Sequence, residues 1–273
     1  MDKLFDVADA LSIPGTSIGE AFIQRGLARF CLMDDGKFEE VSSSITEGSG
    51  IRLVIGDRTC FTYTSGTDLT SVALSLAEGK RRAGLSGGKP LPKGEKPLLH
   101  LPAMNEEAPF DRIRDLDRAI RKLSSSIRQA TFAWSSGVGE VAIVGSANPL
   151  CRRSDFSTRF SVNIVVEADG SLFSGRAVKA FSLPQDEFLR IVDLEDVAHE
   201  AFRRALLLSR AKPCPASVMP VVLAGKAGGT MVHEACGHGL EADIVLKDHS
   251  SFKGSLGERV ASPLVTLVDD PTL

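Results

Sequence analysis

Tyrosine and tryptophan are almost missing: the 273-residue chain has one of each. Single-stranded nucleic acids are held on aromatic stacking platforms inside basic grooves. This chain has one Trp and one Tyr for such stacking and lacks the groove, because its formal net charge is −3, its pI is about 6.0, and it has no basic stripe. Nucleic acid is not expected as a partner. Long apolar runs are also absent, and a membrane-spanning helix needs about 20 such residues. The opening MDKLFDVADALSIPG is acidic at Asp2, Asp6 and Asp9, where a signal peptide would be basic. No CxxC pair occurs among Cys31, Cys60, Cys151, Cys214 and Cys236. An odd, scattered set fits reduced thiols, and the expected location is the cytoplasm. Internal repeats and low-complexity tracts are absent as well.

What is present is ordinary globular material, 43% hydrophobic and 25% charged, enough for a sizeable core without disulfides. Residues 2–11 have a helical apolar face, stopped by Ile13-Pro14-Gly15. From Glu20 to Tyr63 the pattern reads as strands (AFIQRG, ARFCLMD, KFEEVSSSI, SGIRLVI, TCFTYT), with turn signals at Asp35-Gly36 and Gly56-Asp57. A helix capped by Thr67 or Asp68 runs to about Ala83. Residues 84–97 form a Gly/Pro/Lys-rich loop, and its Gly88-Lys89 is not a phosphate loop. Ala83 stands where that motif needs glycine, and Pro90 where it needs Ser or Thr. A second helix is marked by Phe110, Ile113, Leu116, Ile120, Leu123 and Ile127. Its other face alternates charge sign and reads as a solvated surface. Strands ATFAWSS, EVAIVGS, FSVNIVVEA and SLFSGRAVKAFS follow, with the strongest hairpin turn at Asp169-Gly170. A third helix is expected over Asp186–Leu208. It contains His199-Glu200, but Arg203 stands where HExxH needs its second histidine. Lys212-Pro213-Cys214-Pro215 marks a boundary, after which PVVLAG reads as a short buried strand. The expectation is an α+β fold. Residues 1–215 form an N-terminal mixed or antiparallel sheet with flanking helices, and 216–273 begin a β-rich metal-bearing domain.

The chemistry concentrates in GGTMVHEACGHGLEAD, residues 228–243. His233 and His238 offer imidazole nitrogens of the kind zinc prefers. Glu234, beside the first histidine, is placed as the general base of metal-assisted peptide hydrolysis. The histidines are five apart, however, which on an ideal helix sets them roughly 140° apart and unable to share an ion. The helix must therefore distort between them, and Gly237 and Gly239 flank His238 where a kink would serve. The Thr230-Met231-Val232 entry suggests a helix buried at its start. A catalytic zinc normally takes three protein ligands. Third-ligand candidates within the chain are Cys236, Glu241, Asp243, His249 and Cys214.

The run PVVLAGKAGGTMVHEACGHGLEAD, followed by GSLGERVASPLVTLVDDPTL, resembles the TldD branch of the TldD/PmbA family. So does FCLMDDGKFEEVSSSITEGSGIRLVIGDRTCFTYTSG, with Gly48-Ser49-Gly50-Ile51-Arg52 in place of a GxGVR-like segment. The resemblance covers most of the chain and is weak over about 84–126. It implies a cytosolic zinc metalloprotease acting on small or unfolded polypeptides. His233 and His238 would be metal ligands, Glu234 the catalytic base, and a cysteine beyond Leu273 the third ligand. The implied partner is a related subunit in a heterodimer, or a second copy of the chain. The chain is accordingly expected to be C-terminally truncated, with weak metal binding and little peptidase activity. A competing reading is a non-catalytic binding subunit, against which the intact HExxxH argues. A regulatory role toward a DNA enzyme, also associated with the family, finds no support in this charge distribution. An exposed edge of the hairpin-rich sheet would let an extended peptide bind by strand addition.

Overall fold

The computed structural model describes residues 3–104, 109–147, 150–268 and 270. The chain divides into two compact units, Met1–Lys212 and Pro213–Leu273. The first is built on six strands: β1 (Ile18–Asp34), β2 (Lys37–Ile55), β3 (Arg58–Thr64), β4 (Ile127–Gly145), β5 (Cys151–Ala168) and β6 (Ser171–Phe181). They form one sheet in the order β3-β2-β1-β4-β5-β6, antiparallel throughout. Its helices are α1 (Leu4–Leu11), α2 (Leu69–Ala83), α3 (Phe110–Arg121), α4 (Gln185–Ile191) and α5 (Leu194–Ser209).

The hairpin turns have the chemistry the sequence announces. Asp35 and Gly36 take φ of 45° and 80°, and Asp169 and Gly170 take 51° and 73°. Two positive φ values in a two-residue loop match the twist of the flanking strands. Arg121 ties the first turn to α3 by donating to Asp35 Oδ1 at 2.7 Å and to Asp117 Oδ1 at 2.9 Å. Several strands are longer than the sequence pattern suggests. AFIQRG and ARFCLMD form one strand, as do KFEEVSSSI with SGIRLVI, and ATFAWSS with EVAIVGS. In β1 and β4 a neighbour pairs on each side across the glycines, which outweighs their weak strand preference.

Helix bounds shift for identifiable reasons. The second expected helix ends at Arg121, and Ile127 opens β4 instead of closing the helix. The third breaks in two at Val192-Asp193, where the Asp193 carboxylate accepts from the Glu195 amide and caps α5. Glu200 pairs with Arg203 and Arg204 on the surface of α5.

Period-two alternation in β4 puts its even residues, Ala130 through Val144, on one buried face. Two core clusters lie along that face. One gathers Phe132, Trp134 and Phe160 with α3, α4 and α5, and the other gathers Ile23, Ile51 and Val144 with α1 and α2. Between them sits the buried carboxylate of Glu140, held by the His100 amide at 2.6 Å and by the Arg152 guanidinium.

In the second unit, α6 spans Gly225–Val232 and α7 Ala242–Leu246. No strand occurs among its described residues. Residues 220–224 of the PVVLAG run, expected as a buried strand, are exposed coil, with no strand among the described residues of this unit to pair them. Gly225, Gly228 and Gly229 lie within α6, and Met231 is exposed, so the helix entry is not buried as expected.

Two outcomes test this core. Phe160→Ala should lower the unfolding free energy by about 3–5 kcal/mol in urea denaturation, since a fully buried ring is lost. Burial pushes the Cys31 thiol up to about 11 despite a hydrogen bond with the Trp134 backbone. At pH 8 the thiolate is then roughly one part in a thousand. Alkylation followed by mass spectrometry should label exposed Cys151 and Cys214 in the native protein and Cys31 only after unfolding.

Candidate metal centre

The approach to the site is a regular helix, α6. At His233 the winding widens into a π turn, His233–Gly237, and then tightens into a 3₁₀ turn, His238–Leu240. The His238 amide donates to the His233 carbonyl, an i to i+5 bond. That bond answers the spacing problem, because a turn closed over five residues stacks i above i+5. The imidazole rings lie 4.6 Å apart, centroid to centroid. A glycine kink is not the cause, since Gly237 has φ −56° and ψ −55°, values open to any residue. Gly239 has a different use: a Cβ there would lie 3.0 Å from the Phe252 ring. Ser250 closes this end by donating its hydroxyl to the Gly239 carbonyl and accepting from the Phe252 amide.

His233, Glu234 and His238 each present one ligand atom, all within 4.8 Å of one another. Two nitrogens held about 2 Å from one zinc ion lie roughly 3–4 Å apart. Small rotations of these exposed side chains would bring them to that separation, so the donor set fits a divalent transition metal. His238 Nε2 faces Glu234 Oε2 at 3.5 Å. Its Nδ1 lies 2.6 Å from Glu241 Oε1. The Glu241 hydrogen bond, then its charge and that of Glu234, raise the His238 pKa above the ordinary histidine value.

Of the five third-ligand candidates, none joins the cluster among the described residues. Asp243 pairs with Lys247 at 3.2 Å, and Cys236 and Cys214 carry free thiols outside the group. Glu241 does reach the site, but through the back of His238. A carboxylate on Nδ1 fixes the tautomer that leaves Nε2 free toward His233 and Glu234. The signal for this was available in sequence, as an acidic residue three positions after the histidine.

Three family models match in sequence order. Residues 19–83 match PmbA/TldA metallopeptidase domain 1, 99–208 the central domain, and 216–273 the C-terminal domain. The chain belongs to the PmbA/TldD family. One PmbA/TldD relative, the "Metalloprotease TldD homolog" of Haemophilus influenzae, is 30% identical over 99% of this chain and 59% of its own length. A "Metalloprotease" of Methanothermobacter thermautotrophicus is 27% identical over 89% of this chain and 54% of its own. The chain thus spans less than two thirds of these relatives. Solved structures share this fold, and two illustrate it. A Bacteroides thetaiotaomicron protein described as a candidate modulator of DNA gyrase superposes with TM-score 0.70 at 14% identity, over 95% of this chain and 61% of that one. TldE from Thermococcus kodakarensis gives 0.62 at 12%, over 88% and 55%. The α+β fold is that of the family. No helix among the described residues is long and apolar enough to cross a membrane.

If Glu241 orients His238, Glu241→Ala should weaken zinc affinity by about 10–100-fold, read by competition with a chromogenic chelator. The circular dichroism spectrum should be unchanged, because Glu241 is exposed.

Proposed function

We propose that this chain carries the metal-binding segment of a TldD-type zinc metallopeptidase that cleaves small or unfolded polypeptides. The observation that supports it most is the convergence of His233, Glu234 and His238 through the π turn. A Gly-rich surface helix with no ligand to hold would have no reason to adopt this winding, which is uncommon and concentrated at functional sites.

In this reading His233 and His238 donate ring nitrogens, and Glu241 holds His238 in the tautomer that leaves Nε2 free. Zinc, when bound, supplies Lewis-acid polarisation of the scissile carbonyl. Glu234 acts as general base: its carboxylate accepts the proton of the attacking water and passes it toward the leaving amine nitrogen. Its adjacency to His233 keeps the base beside the ion without spending it as a ligand. A third protein ligand is expected from outside these 273 residues, and residues 216–273 are read as the beginning of a longer metallopeptidase domain. A related family subunit, or a second copy, is the expected partner, and the cytoplasm the expected location, in keeping with five unpaired thiols.

Elemental analysis of the purified chain tests this reading. With zinc supplied, the wild-type chain should take it up weakly and His233→Ala and His238→Ala at least about tenfold less, whereas in a chain extended to the length of its relatives Glu234→Gln should keep the metal and lose casein hydrolysis. Equal zinc in wild type and both histidine variants would sink the proposal.

A further inference from the structure

His238 is held in two ways, at its ring and at its backbone. Glu241 fixes the imidazole through Nδ1 at 2.6 Å. The backbone tie acts one residue further on, at Gly239, and comes from eleven residues along the chain. The Ser250 hydroxyl donates to the Gly239 carbonyl and accepts from the Phe252 amide at 3.0 Å. Phe252 in turn sets its ring beside the Gly239 α-carbon. Glycine stands here because of that ring and not because of backbone conformation. Gly239 is not one of the positive-φ glycines, yet a Cβ on it would lie 3.0 Å from two Phe252 ring carbons.

The setting makes this tie important. No described residue from 213 onward is buried, so no core within this unit holds the site from behind. Phe252 is the one Phe, Tyr or Trp in residues 213–273, and it packs on Gly239. Most hydrogen bonds of the unit close turns of five residues or fewer, and an α-helix would supply as many. A π turn followed at once by a 3₁₀ turn is not what an unsupported helix settles into, since π turns are rare and 3₁₀ bonds have poorer geometry. A segment that rewound to a regular α-helix would carry the two imidazoles roughly 140° apart. In an α-helix the Gly239 carbonyl would accept from the amide four residues on; here Ser250 supplies a bond from outside the helix.

We infer that Ser250 and Phe252 are positioning residues of the metal centre. Phe252 has no ligand atom to offer, and the Ser250 hydroxyl is committed to Gly239 and to the Phe252 amide. Together they fix the backbone at Gly239. That fixes the 3₁₀ turn carrying His238, which sets its ring 4.6 Å from that of His233. Glu241 governs how the His238 ring is turned; Ser250 and Phe252 govern where it stands. The inference rests on reading His233 and His238 as ligands, but its first readout needs no metal.

The test uses the whole chain. In EDTA, hydrogen exchange of the His238 amide is followed by NMR, because that amide makes the π-turn bond to His233. Ser250→Ala should speed its exchange about tenfold. Ser250→Thr, which keeps the hydroxyl, and Ser251→Ala, at the exposed neighbouring serine, should leave it unchanged. Zinc affinity, read by chelator competition, should fall about tenfold in Ser250→Ala and recover in Ser250→Thr. Gly239→Ala should weaken zinc about tenfold by itself and far less in a Phe252→Ala background, where the ring it displaces is gone. Unchanged His238 exchange in Ser250→Ala overturns the inference, as do additive losses for Gly239→Ala and Phe252→Ala. So does zinc affinity that His233→Ala lowers and Ser250→Ala leaves intact. Zinc affinity indifferent to His233→Ala sinks the metallopeptidase reading itself. Faster exchange in Ser250→Ala would then assign the tie to the turn alone and overturn its positioning role.

Discussion

The first unit depends on a single constraint, the alternation of β4. From Ala130 to Val144 every second residue turns to the helical side, and both core clusters draw on that row. A slip of one residue would exchange Phe132 and Trp134 for Thr131 and Ala133 and expose the core at both ends at once. The buried Glu140 sits in the middle of the same row, where an apolar residue would be expected, and is made tolerable by the His100 amide and Arg152. A carboxylate with a defined pair of donors fixes register more tightly than another valine would, because a slipped strand leaves a charge buried and unmatched.

The metal centre solves a different geometric problem with the same backbone currency. Five-residue spacing cannot be reconciled with an α-helix, so the main chain changes its hydrogen-bond partner from i+4 to i+5 for one turn. The residues at the ends of that turn, His233, Gly237 and His238, keep ordinary right-handed helical angles. Clamping falls to the Ser250–Phe252 turn, which closes the narrow end of the segment against Gly239.

Much of this was legible in the sequence, and the failures have physical causes. Asp35-Gly36 and Asp169-Gly170 announced their hairpins because so few residue pairs accept two positive φ values. Asp68 announced α2 through a side chain that bonds the Ser71 amide at 2.9 Å. The length of β1 and β2 was not legible, since Gly26 and the Ser42-Ser43-Ser44 run look like interruptions when only local preference is read. Pairing with neighbours far along the chain decides otherwise. Val221 and Val222 failed in the opposite direction, as strand-like residues with no neighbour to pair. At the metal centre, residue types named His233, Glu234 and His238, whereas the winding that gathers them was legible only as a demand for some distortion. Glu241 was recognised as a candidate ligand, but its position behind His238 depends on three-dimensional geometry.

The strand order has a consequence for how the first unit assembles. β1, β2 and β3 form one meander, and β4, β5 and β6 another, each joined by loops of only a few residues. The halves meet along the β1–β4 seam, which pairs Glu20 with Gly145 at one end and Asp34 with Thr131 at the other. Every contact on that seam closes a very long loop, whereas the hairpins close short ones. In the first unit, the β1–β4 seam is therefore the pairing expected to close last, after the two meanders.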